Sequence, residues 1–97
     1  MKYKELEFNG ETYIKKSEIE KILKNNNFYW LIDGEFEDAI IEIKNNTILW
    51  KEGTWYNGTW EYGIWLNGKF HGTWKNGIFE DGIFKGDWES GINNATK

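Results

Sequence analysis

The side chains able to do chemistry are few, and most sit in one stretch. Asp33, Glu35, Glu37 and Asp38 fall within six residues, and Glu42 follows closely. Carboxylates this crowded suit two tasks: gripping a hard cation such as Ca²⁺, or meeting a basic surface. The spacing lacks the alternating ligands and fixed glycine of an EF-hand loop. The patch Asp33, Glu35, Glu37 and Asp38 is therefore read as a partner-binding surface, against the plainer reading of a solvated strand face. His71 is the sole histidine. It would have to serve as the general acid or base of any proton-transfer chemistry, yet beside Gly72 it reads more simply as a turn residue. One histidine and no cysteine leave only carboxylates for a metal site, and neither metal nor cofactor is expected. The glycines recur too regularly for a phosphate cradle, and no Gly-Lys-Ser/Thr follows them. No catalytic residue is assigned, and an enzyme is the least favoured reading.

Charge narrows the partner. The formal net charge is −4, and every basic residue is lysine. A protein that grips a phosphate backbone needs a basic face, so no direct nucleic-acid contact is expected. Another protein with a basic surface is the favoured partner. No apolar run approaches the ~18 residues of a membrane span. The opening Met1-Lys2-Tyr3-Lys4-Glu5 leads into no apolar segment, so no secretion signal is read and a soluble, cytoplasmic protein is expected.

The elements that must position these groups fall into two regions. Residues 1–49 read as a mixed capping region. Leu6-Glu7-Phe8 and Thr12-Tyr13-Ile14 flank Asn9-Gly10, a hairpin signal because both turn positions take positive φ. Ser17-Glu18-Ile19-Glu20 has capping-box form, and Ile19, Ile22 and Leu23 then share a helical face. One short helix is predicted from Ser17 to about Asn25. Phe28–Ile32 reads as an aromatic strand ending in an Asp33-Gly34 turn. Glu35–Ile43 continues as strand, with a bulge at Asp38-Ala39. Asn45-Asn46 is a further turn, leading into Thr47–Trp50.

Residues 50–92 are a repeat. The units read WKEGT, WYNGT, WEYGI, WLNGK, FHGT, WKNGI, FEDGI, FKGD and WESGI. Each opens on Trp or Phe and carries Gly two or three positions later. The two four-residue units open on Phe70 and Phe84 and are expected to mark a corner or a register change. A longer period of fourteen relates Phe70, Gly72, Trp74 and Gly77 to Phe84, Gly86, Trp88 and Gly91. Residues 93–97 read as a frayed tail, and the whole as one continuous domain.

A period of five cannot keep all aromatics on one face of a single straight strand. A chain that reverses every five residues can. The predicted fold is therefore mainly β (β-rich α+β): a repetitive antiparallel β-meander of short hairpins with one short N-terminal helix. In it Tyr56 faces Thr59 and Trp55 faces Trp60. The rival geometry is a square β-helix with five residues per side. It is less favoured because it would place several Trp inside every small coil.

Phe84-Lys85-Gly86-Asp87-Trp88-Glu89-Ser90-Gly91 and Phe70-His71-Gly72-Thr73-Trp74-Lys75-Asn76-Gly77 resemble the aromatic-x-Gly-x-Trp-x-x-Gly pattern of MORN repeats. Trp65-Leu66-Asn67-Gly68-Lys69-Phe70-His71-Gly72 resembles that family's Asn-Gly-Lys-x-His-Gly segment. The match spans about a third of the chain, and the period here is fourteen or five where the family's is about 23. The Trp-x-x-Gly-x runs are also similar to repetitive segments of phage and mobile-element proteins. The resemblance implies a module for scaffolding and protein contacts.

Three functions are carried forward. The first is a non-enzymatic protein-binding module, in its sharpest form a small acidic inhibitor of phage type. It would occlude a basic surface of a nucleic-acid-binding host protein, as anti-CRISPR inhibitors do. Its contacts would come from the acidic patch and from an exposed part of the aromatic row Trp55, Trp60, Trp65, Phe70 and Trp74. The plainer reading of that row is a core. The second is a ligand-binding module that stacks carbohydrate or another flat ligand on the Trp row. The third is a self-assembling homo-oligomer joined through open sheet edges.

Overall fold

The computed structural model describes residues 1–95. The N-terminal hairpin forms as its turn chemistry dictates. β1 (Tyr3–Phe8) and β2 (Glu11–Tyr13) pair antiparallel around Asn9-Gly10, both at positive φ (52° and 80°). α1 (Lys16–Asn25) follows, burying Ile19 and Leu23 with Ile22 packed beside them. The expected capping box does not close. Lys15 occupies the N-cap without a side-chain bond, and Glu20 instead accepts a hydrogen bond from the Tyr3 hydroxyl at 3.0 Å.

The strand expected at Phe28–Ile32 is instead a second, single-turn helix, α2 (Tyr29–Ile32). Asn27, at φ 65°, redirects the chain. Phe28 and Leu31 then point together into the core at helical spacing, and Asp33 closes the turn onto Tyr29 O. The apolar run packs inward at a period of three rather than two.

β3 (Glu35–Lys44) and β4 (Thr47–Asn57) form a long antiparallel hairpin around Asn45-Asn46, both at positive φ. The bulge expected at Asp38-Ala39 is present: the register shifts between Glu37 and Ile40, with Asp38 at φ 54°. β1 lies parallel to β3 on its other edge.

β4 then turns a corner at Gly53 and becomes the first coil of a solenoid. The remaining strands are two residues each: β5 (Thr59–Trp60), β6 (Ile64–Trp65), β7 (Lys69–Phe70), β8 (Thr73–Trp74), β9 (Ile78–Phe79), β10 (Ile83–Phe84), β11 (Asp87–Trp88) and β12 (Ile92–Asn93). They pair parallel, each with the strand one full turn away. One face stacks β4, β6, β9 and β12; a second stacks β4, β7 and β10; a third stacks β5, β8 and β11. The chain is thus mainly β, with short repetitive strands and two helices among the described residues.

The antiparallel meander is corrected to this three-sided parallel coil. Trp55 pairs with Phe70, and Trp60 with Trp74, rather than with each other. The reason lies in the turns. At Asn9-Gly10 both residues take positive φ and the chain reverses. At Asn57-Gly58 only Gly58 does, at 104°, and the chain merely bends. Five-residue units therefore make sides rather than hairpins. The four-residue units mark a corner, as expected: Gly72 and Gly86 sit one residue early, beneath Gly58.

The room for aromatics comes from ring shape. Each coil contributes three inward rings, and rings of successive coils lie flat on one another. Trp50 and Trp65 stack at 4.6 Å, Trp60 and Trp74 at 5.2 Å, Trp55 and Phe70 at 5.8 Å, with planes within 16°. Those spacings lie close to the ~4.8 Å between neighbouring strands. Rings that follow one another along the chain meet edge to face, as Trp55–Trp60 (78°) and Trp60–Trp65 (77°) do.

Trp30, from α2, lies edge-on against Trp60 at 5.0 Å and closes the top of this column. The tail expected to fray holds its backbone bonds through its first residues. β12 pairs with β9, and Asn94 N–H donates to Phe79 O at 2.8 Å. Residues 96–97 of that tail lie outside the described residues. Among the described residues no helix is long and apolar enough to cross a membrane.

Candidate protein-binding surface

The aromatic row expected to meet a partner faces inward. Trp55, Trp60, Trp65, Phe70 and Trp74 are all fully buried. No ring of that row is offered to a flat ligand, because each face already carries another ring. Trp55 Nε1 donates to Gly58 O at 3.2 Å. The indole N–H groups of Trp30, Trp50, Trp60, Trp65 and Trp74 are buried without an oxygen acceptor. Each of these indoles has another ring edge to face with it. A row like this specifies a core.

The acidic patch lies outside. Asp33, Glu35, Glu37 and Asp38 are all exposed. Alternation on β3 turns Glu35 and Glu37 out while Phe36 packs inward, stacked on Trp55 at 5.4 Å. The bulge then adds Asp38 to the outward side. Glu35 accepts from Asn57 Nδ2 at 3.3 Å, tying the patch to the first coil. Glu37 and Asp38 lie 3.6 and 3.5 Å from the Met1 α-amino group. Exposed pairs of this kind contribute little to stability and leave the carboxylates accessible.

Glu42 separates from the group. It sits four residues beyond Asp38 on β3, gripping Lys51 at 3.0 Å, with Glu7 also on that lysine at 3.5 Å. The hydrogen bond to Glu42 is the main cause that raises the Lys51 pKa. Lys2 shows the reverse: burial lowers it despite Glu20, and its Nζ donates to Ile32 O at 2.6 Å. His71 is exposed, its ring close to parallel with that of Tyr56 at 6.4 Å.

Beside Asp38 opens a groove of about 320 Å³. Lys4, Asp38, Ile40 and Glu52 line one part of it, and Lys69 and Ile83 the other, across a corner column of Gly53, Gly68 and Gly82. Sequence reasoning missed Lys4, Glu52 and Lys69 as neighbours of the patch. The signal existed: residues one coil apart stack, so Thr54, Lys69 and Ile83 share a column. Among the described residues no group of three or more His, Cys, Asp or Glu is placed to hold a metal ion. No protein family, no curated protein and no solved structure matches this chain.

Proposed function

We propose that this protein is a non-enzymatic protein-binding module that docks a basic surface through its acidic shoulder. One observation carries the reading: the carboxylates of Glu35, Glu37 and Asp38 stand exposed on a bulged strand whose opposite side is locked into the aromatic core, with exposed Asp33 on the turn just before it. Pairing with β4 fixes the backbone that carries Glu35, Glu37 and Asp38, so little backbone ordering entropy is lost on binding. Like charges so placed attract lysine- and arginine-rich surfaces and speed encounter. The groove beside Asp38, with Ile40 and Ile83, offers apolar area next to the charge. The resemblance to MORN repeats supports the same class. In its sharpest form the module occludes the basic surface of a nucleic-acid-binding protein.

The test is capture of partners from cell lysate on immobilised protein, with an Asp33→Lys/Glu35→Lys variant alongside. The expected result is one stoichiometric protein retained by the native chain and lost by the variant, while circular dichroism shows both folded. A partner held equally by both would remove the acidic shoulder from the reading.

A further inference from the structure

Along the groove beside Asp38 the acids and the bases are in different states. Asp38 lies 3.5 Å from the Met1 α-amino group. Glu52 accepts from the backbone N–H of Gly53 and from Asn67 Nδ2, both at 3.3 Å. Lys4 and Lys69 are exposed, and neither ammonium makes a hydrogen bond or ion pair among the described residues. The carboxylates of the groove are engaged and its two cations are not. Its unmatched charge is therefore positive, opposite in sign to the shoulder that shares Asp38 with it.

The strands fix how far apart those cations stand. Lys4 is on β1 and Lys69 on β7, with β3 and β4 between them in paired order. Three strand spacings of about 4.8 Å put their backbones roughly 14 Å apart. An extended peptide rises about 3.4 Å per residue, and its alternate side chains share a face. A segment lying along the groove brings residues i, i+2 and i+4 to the same wall, with i and i+4 at the two lysines. Residue i+2 falls between them, over half-buried Ile40 and Thr54.

We propose that the groove seats an extended segment of a protein partner in which two acidic residues flank an aliphatic one at alternate positions. One carboxylate meets Lys4, the aliphatic side chain packs on Ile40, and the second carboxylate meets Lys69. The inference rests on the protein-binding reading, though not on the acidic shoulder. The contact surface of the partner then carries both signs, basic against Asp33, Glu35 and Glu37 and acidic in the groove. A uniformly basic protein would press like charge against the two lysines, so the groove selects against it. A phosphate chain fits less well, because it would run past Asp38 and Glu52.

The experiment is a titration of the full chain at low salt, where surface charge acts furthest, followed by amide NMR. The probe is a capped pentapeptide, glutamate-serine-valine-serine-glutamate. Saturable shifts are expected at the amides of Lys4, Ile40, Thr54 and Lys69. Replacing both glutamates of the peptide by glutamine should weaken binding about tenfold. Lys4→Glu/Lys69→Glu should abolish the shifts, while Asp33→Lys/Glu35→Lys should keep them. All four side chains are exposed, and circular dichroism checks that both variants fold. Shifts that never saturate, a glutamine peptide that binds as tightly, or shifts that survive in the K4E/K69E chain would each overturn the proposal. None of these results touches the acidic shoulder, whose own test is partner capture with D33K/E35K. An oligothymidylate that moves the same amides more strongly than the peptide would assign the lysines to phosphate and overturn it as well.

Discussion

Trp60 and Trp74 lie ring on ring, 5.2 Å apart and within 8° of parallel, although fourteen residues of chain separate them. Trp88 continues the stack beneath at 5.4 Å. Such a column depends on every ring above and below. Truncating Trp60 to alanine leaves a cavity bordered by Trp30, Trp50, Trp55, Trp65 and Trp74. The expected cost is about 3–5 kcal/mol, a large share of the stability of so small a domain. Trp88→Ala, at the half-buried end, should cost clearly less. Denaturant midpoints of the two variants compare them directly, and equal losses would contradict the stacked column.

The corner glycines differ from the hairpin glycine in a way that substitution can separate. Gly77 sits at φ +118°, and a Cβ there would meet Gly63 N at 2.9 Å. Gly10 sits at φ +80°, with nothing within 4 Å of such a Cβ. Gly10→Ala should cost on the order of 1 kcal/mol for the backbone strain alone. Gly77→Ala must also push two coils apart and should cost several times as much, visible as a lower melting temperature.

The alkaline limit of stability should rest partly on Tyr3. Burial pushes its hydroxyl well above the ordinary phenol range, and the hydrogen bond to Glu20 adds to the shift. Lys51 is raised as well, chiefly by its hydrogen bond to Glu42. A folded pKa above the unfolded one favours the native state fully below about pH 10, and that contribution fades as pH rises past it. Lys2, lowered by burial, works the other way and offsets part of the loss. Tyr3→Phe should lower stability at neutral pH, since the bond to Glu20 goes, yet flatten the decline above about pH 10. Urea midpoints measured against pH for both chains decide it; parallel curves would remove Tyr3 as the cause.

Trp30 is the contact between cap and column. Trp30→Ala should leave the coils formed but loosen α2, so that amide protons of Leu31 and Asp33 exchange faster while those of Glu80 and Lys85 keep their protection. Uniformly faster exchange would mean that cap and coils unfold as one unit.

Much of this was legible in the residues. The Asn9-Gly10 hairpin, the Asn45-Asn46 turn, the Asp38 bulge and the fourteen-residue period all appear as read. What misled was the Asn-Gly pair itself. It reverses the chain at residues 9 and 10 but bends it at 57 and 58, and local chemistry does not distinguish the two. The difference is tertiary: at the bend, Trp55 reaches Phe70 one coil away and finds a flat partner at strand spacing. The exposed carboxylates of Glu35 and Glu37 followed from simple alternation along β3. Their neighbour Lys69 did not, because its place depends on how many residues close a coil.

The three stacks have a metrical consequence. Each turn below the first is built from the same fourteen residues' worth of sides and corners and touches only the turns next to it. Adding or removing one such cassette would move the far end by a single increment of about 4.8 Å and leave the acidic shoulder unchanged. The number of copies thus works as a ruler, fixing how far one end of the molecule stands from the other.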